Sequence, residues 1–277
     1  MKSEKLNEIA TSARIDIIQM ITEAKSGHPG GSLSIIDVLT VLYYEKMTID
    51  PNQPAMENRD RCVLSKGHAA PALYTTLVNT GFFPKKELSK LRKTGEMLQG
   101  HPDIKTTPGV DASTGSLGQG LSIANGMALV AKMKQDDHTI YTLIGDGELQ
   151  EGQIWEAAMS SAHYNLDNVI AIIDHNGLQI DGTNDEVMKV RSIKEKFQSF
   201  NWKVLEIDGH DFDQISKSID QAKAVKNQPT AIIAKTVKGK GVSFMENNGG
   251  WHGAAPSAEE CEKAVKELRG EQNEFSH

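Results

Sequence analysis

Two short apolar runs, residues 141–144 and 169–173, frame a stretch of helical period, and this strand–helix–strand pattern constrains the chain more than any other feature. A parallel crossover of that kind brings both strand ends to one edge of a sheet. Gly145-Asp146-Gly147 closes the first run and Asp174-His175-Asn176 the second. Asp146 and Asn176, 30 positions apart, are therefore expected to face each other across the crevice where open α/β sheets bind ligands. One Asp and one Asn suit a small hard cation such as Mg2+, which takes few protein oxygens and lets phosphates supply others. Gly145 and Gly147 let the backbone turn sharply and let a phosphate come close where a Cβ would stand in the way. Free amides opening the next helix would face that anion.

The rest of the chain repeats the alternation. Leu6, Ile9, Ala13, Ile17 and Met20 recur at helical spacing, and a second helix is expected over 34–44, after a glycine-rich turn carrying His28. A strand at 61–64 and a helix at 70–79 follow, then a long loop over 94–118. Beyond the central unit come a strand at 202–207, a helix at 212–225, a buried-type strand at 230–234, a loop with an exposed-looking His252, and a last helix at 258–269. This order predicts an α/β fold with a doubly wound, mostly parallel sheet flanked by helices. One domain is expected over 1–277, with helices at its amino end and a short helix at its carboxyl end. A net charge of -7 leaves no basic footprint for nucleic acid. No apolar run reaches membrane-spanning length and no leader h-region opens the chain, so a cytoplasmic protein is expected. Cys62 and Cys261 match no metal or disulfide spacing and read as reduced thiols.

Four of the nine histidines, His28, His68, His101 and His252, fall in glycine-flanked loops. Singly, each reads as a structural or capping residue; together they point to proton movement near neutral pH. His138, His163 and His277 read as surface residues, and His175 and His210 stay open. Gly115-x-x-Gly118-x-Gly120 has the wrong order for a dinucleotide fingerprint, and Lys238-Gly239-Lys240-Gly241 lacks the Walker spacing.

Gly145-Asp146-Gly147 followed by Asn176 resembles the signature of thiamine-diphosphate enzymes, and Gly145-Asp146-Gly147-x-Leu149-Gln150-Glu151-Gly152 resembles the form carried by transketolases. Ser26-Gly27-His28-Pro29-Gly30, Ser65-Lys66-Gly67-His68-Ala69, Gly100-His101-Pro102-Asp103 and Thr114-Gly115-Ser116-Leu117-Gly118-Gln119-Gly120 extend the resemblance from residue 26 to about 256. It implies the diphosphate-binding domain of the thiamine-diphosphate fold, with thiamine diphosphate and Mg2+ (or Ca2+ or Mn2+) as cofactors. Asp146, Asn176 and the Leu178 carbonyl would hold the metal, and Gly115, Ser116 and Leu117 would lie against the cofactor. His28 and His252 would work near the reacting hydroxyls, with His68 and His101 on the donor's first carbons and the cofactor.

Full-length members of that family also carry a pyrimidine-binding domain, whose glutamate activates the cofactor, and a carboxy-terminal domain. Neither is present in this sequence, so the resemblance implies half of a split transketolase. Its partner would be a carboxy-terminal subunit bearing the pyrimidine-binding domain, Glu151 would meet that partner's glutamate, and two-fold symmetry favours an α2β2 heterotetramer. Sugar phosphates are the implied substrates, with pentose-phosphate metabolism as the default setting and unusual ketoses as alternatives. Among rival readings, the Gly-His-Pro and Ser-Lys-Gly-His-Ala motifs argue against the α subunit of a 2-oxo-acid dehydrogenase, and the length argues against a deoxyxylulose-phosphate synthase. Intact motifs argue against a non-catalytic regulatory subunit.

Overall fold

The structure is a computed structural model that describes residues 1–270; His277 lies outside the described residues. Helices α1 (Ser3–Ala24) and α2 (Pro29–Val41) lead into β1 (Arg61–Leu64) and α3 (Ala70–Asn79). After a long irregular segment come α4 (Gly120–Lys134), β2 (Ile140–Gly145), α5 (Gly152–His163) and β3 (Val169–His175). A small hairpin of β4 (Leu178–Gln179) and β5 (Gly182–Thr183) precedes α6 (Asn184–Val187) and α7 (Ile193–Ser199). The chain closes with β6 (Lys203–Asp208), α8 (Phe212–Ala224), β7 (Thr230–Lys235) and α9 (Ala258–Leu268).

The main sheet has the order β1-β2-β3-β7-β6, every pair parallel. Its central strands β2, β3 and β7 are β-branched-rich and buried on both faces, which is why they read as mostly apolar runs, whereas the edge strand β6 is partly exposed. Alternate residues divide between two cores. Tyr141, Leu143, Ile170 and Ile172 pack with α1, α2, α3 and α8, whereas Ile144, Val169, Ala171 and Ile173 pack with α4, α5 and α7. The expected doubly wound sheet is present.

Three expectations need correction. The second helix starts at Pro29, five residues before the expected position, so the glycine-rich turn is its first turn and His28 is its N-cap. Proline suits the first helical position, and close packing requires the glycines: a Cβ on Gly30 would sit 2.9 Å from the Trp251 carbonyl oxygen. His252 is half-buried, because that same packing folds its loop over α2. His138 is also half-buried, and its Nδ1 is enclosed without a hydrogen-bond partner.

Candidate active site

The carboxyl ends of β1, β2, β3 and β7 deliver the motif residues to one cleft of about 230 Å3, lined among others by Lys66, His68, Asp146, Asn176, Lys238 and His252. A larger cavity of about 550 Å3 lies by Arg59 and Arg61. Those arginines are engaged with Asp111, so the cavity offers no comparable convergence of free chemistry.

Asp146 is buried, and each of its oxygens accepts one backbone N–H, from Gly147 at 2.8 Å and from Gly177 at 2.6 Å. The Asn176 amide donates to Asp174 at 3.1 Å, and its oxygen accepts the Leu178 N–H at 3.1 Å. The Leu178 carbonyl accepts Lys238 Nζ at 3.2 Å. Burial, with a further push from the Asp174 charge, raises the Asp146 carboxyl above its ordinary value. A buried carboxylate of this kind, beside an amide and a carbonyl oxygen, fits a hard cation. Among the described residues no group of three His, Cys, Asp or Glu forms a self-sufficient metal centre. An ion here would take further oxygens from a ligand, as a diphosphate supplies them.

Buried charges that the motif reading did not single out hold this frame. Asp174 accepts from Lys66, Ser34, Thr236 and Asn176, and Lys66 also donates to the Gly31 carbonyl at 2.7 Å. Those partners hold the Asp174 carboxyl below its usual value despite complete burial. Because Asp174 takes the Asn176 NH2, the amide oxygen is left to accept the Leu178 N–H. Glu148 accepts from the Ser65 hydroxyl and from the N–H groups of Gly118 at 2.8 Å and Gly145 at 2.9 Å, tying three loops together.

His28, His68 and His252 form a triangle with ring centroids 5.1–5.5 Å apart. His101 stands exposed at the rim, its ring carbons about 3 Å from where a Cβ on Gly115 would lie. Leu117 lines the cleft and Ser116 is exposed beside it. Glu151 is exposed at the lip, with its Cβ against Gly118, whose positive φ of 86° permits the approach. His210 is structural: its Nδ1 lies 2.7 Å from Asp37, and its Nε2 accepts the Val237 N–H. His175 is exposed.

All three clustered rings titrate low. Burial, then Arg92, brings His28 to about 4; burial, then Lys238, brings His252 to about 3; burial, then Lys66, drives His68 well below the usual value. Unfolding returns them to about 6.5, so the unfolded chain takes up protons first. Stability is full above about pH 6.5 and falls as the pH drops below it. Urea midpoints measured between about pH 8 and pH 5 are expected to show this fall, and His28→Gln to flatten it. A midpoint constant across that range would argue against neutral rings.

The family model described as "Transketolase, thiamine diphosphate binding domain" matches residues 5–276. The chain belongs to the transketolase family. It is 43% identical over 268 residues to one named subunit of the apulose-4-phosphate transketolase of Phocaeicola vulgatus, covering 97% of this chain and 95% of that one. It is 48% identical over 245 residues to 6-deoxy-6-sulfo-D-fructose transketolase subunit SqwG of Clostridium sp., covering 88% and 89%. The solved transketolase of Campylobacter jejuni superimposes with a TM-score of 0.92 at 38% identity, covering 97% of this chain and 43% of that one. This transketolase chain is thus similar along nearly its whole length to named subunits, and spans less than half of the one-chain enzyme. It is a transketolase-type transferase. Among its described residues no helix is long and apolar enough to cross a membrane.

Proposed function

We propose that this chain is the amino-terminal, diphosphate-binding half of a two-chain transketolase. With Mg2+ and thiamine diphosphate, the enzyme moves a two-carbon ketol (glycolaldehyde) unit from a ketose phosphate to an aldose phosphate. One observation carries the reading: Asp146, Asn176 and Leu178 line one cleft with His68 and His252, and Glu151 is exposed at its lip. Asp146, Asn176 and the Leu178 carbonyl hold the metal; Gly115, Ser116 and Leu117 line the cofactor; Glu151 meets the glutamate of the partner's pyrimidine-binding domain. The bound cofactor supplies a nucleophilic carbon and an electron sink for carbon–carbon cleavage. His28 and His252 handle the donor hydroxyls and His68 and His101 orient the donor, in a cleft whose half-buried walls limit water. Ca2+ and Mn2+ offer the same oxygen-seeking chemistry as Mg2+.

The partner is a carboxy-terminal subunit, and an α2β2 assembly closes two sites by symmetry. A donor outside the common pentose phosphates is the second reading, favoured by the two subunit relatives, whose names specify apulose 4-phosphate and 6-deoxy-6-sulfo-D-fructose. The test is native mass spectrometry of the chain drawn from its own cells with Mg2+ and cofactor, followed by turnover of the recovered assembly on a panel of ketoses. A stoichiometric second chain, with ketol transfer absent from the chain alone, is expected. Cofactor-loaded self-assembly without a partner, or turnover by the clean isolated chain, overturns the proposal.

In the active assembly, His252→Ala is expected to cut turnover about 100-fold, within the range for losing one positioned hydrogen-bond donor to a developing oxygen anion, while cofactor affinity changes far less. Equal losses in both would give His252 a structural role instead.

A further inference from the structure

Two basic side chains abut the histidine triangle, Arg92 facing Nδ1 of His28 and Lys238 facing Nδ1 of His252. Arg92 lies in the loop between α3 and α4, where its left-handed backbone (φ 60°) and its N–H bond of 2.7 Å to the Leu98 carbonyl lock its position. Its guanidinium packs flat on Gly100, where a Cβ would come within 2.9 Å of the guanidinium carbon, and Nη2 reaches to 3.4 Å from His28 Nδ1. From the opposite wall, Lys238, buried to 2% exposure, places Nζ 2.8 Å from His252 Nδ1 and 3.2 Å from the Leu178 carbonyl.

A guanidinium has five N–H donors and no acceptor; Lys238, which burial lowers to about 8, is an ammonium at pH 7, with three donors and no acceptor. An imidazole nitrogen facing either group must therefore accept. We propose that Arg92 and Lys238 are positioning residues that set the tautomer of His28 and His252, holding the ring proton of both on Nε2. The burial that keeps these rings neutral leaves each a single proton to place. On His28, the Nε2 edge faces Gly253 in the loop that carries His252, away from Arg92. Each ring thus presents an N–H donor on the side opposite its cation. Such a pair stabilises oxygen anions by donation, and neither Nε2 accepts a proton until its own has left. This consequence for the donor sugar rests on the function proposed above; the tautomers themselves do not.

Long-range proton–nitrogen NMR spectra of the full chain labelled with 15N-histidine read the tautomer directly, with His28→Gln and His252→Gln assigning the rings. The expected pattern places Nδ1 of both rings at an acceptor-type shift and Nε2 at a donor-type shift. In Arg92→Leu, the His28 Nδ1 resonance is expected to move toward the donor-type region, while Arg92→Lys, which keeps a cation, restores the native shift. Arg92→Gln serves as a second variant, because its amide oxygen can accept from an Nδ1–H. Lys238→Met tests His252 in the same way. Native rings protonated at Nδ1, or shifts unmoved by all of these variants, overturn the proposal. Because the readout needs no turnover, a chain lacking ketol transfer with its partner would defeat the function while leaving the tautomer assignment standing.

Discussion

Replacing Asp174 by leucine, with Lys66 left in place, is expected to lower stability by about 3–5 kcal/mol, the usual cost of leaving one member of a buried ion pair uncompensated. For a chain of this size that is roughly 10 °C in thermal midpoint. The Lys66 and Asp174 side chains are 2% and 0% exposed, so water cannot replace the missing partner. The loss extends beyond the pair, because Ser34, Thr236 and Asn176 also donate to this carboxylate. Adding Lys66→Met is expected to recover a substantial part of the loss, since removing both charges removes the stranded ammonium. Thermal melts of the single and double variants check this; a double variant no more stable than the single one would assign the cost to the hydroxyl and amide bonds instead.

Asp146→Ala is expected to weaken Mg2+-dependent thiamine diphosphate binding by at least about 100-fold, the upper end of what losing even an outer-shell partner of a metal costs. Asp146 is the one carboxylate among the three oxygen donors assigned to the ion, and its loss leaves the diphosphate charge poorly compensated. Titration calorimetry with and without Mg2+ separates that effect from a general loss of fold. Affinity unchanged in the variant would remove Asp146 from the metal site.

The strands are legible in the sequence because both their faces are buried, so 141–144, 169–173 and 230–234 read as apolar runs with little else to mean. Asp146 and Asn176 are legible for a related reason, since each polar residue closely follows such a run. The start of α2 is not, because Gly30 and Gly31 count against a helix locally, and for Gly30 only the contacts with Trp251 and Lys238, more than 200 positions away, make glycine suitable there. The hairpin at 178–183 and the helices at 184–187 and 193–199 are too short to carry a period. The support of the site is the least visible part. Nothing linear joins Lys66 to Asp174 across 108 positions, and Lys238 sits in a glycine-flanked segment that suggests, by itself, only a nucleotide motif with the wrong spacing. A lysine flanked by glycine beyond an apolar strand is the signal that points to Lys66 and Lys238, and Asp174, the first polar residue after the run 169–173, carries the same signal as Asn176; Arg92 has none.

The order β1-β2-β3-β7-β6 places the last strand made between two made earlier. As the chain leaves a ribosome, β3 and β6 emerge with open edges, and β6 has no neighbour in the sheet until residues 230–235 slot between them. The waiting edge of β3 is the one that leads into Asp174 and Asn176, and Thr236, which bonds Asp174, comes only with the late strand. Completion of the sheet therefore comes late in synthesis, and completion of the cleft later still, with Lys238 and His252. A nascent chain stalled before residue 230 would hold an adhesive strand edge and an unfinished ligand site together.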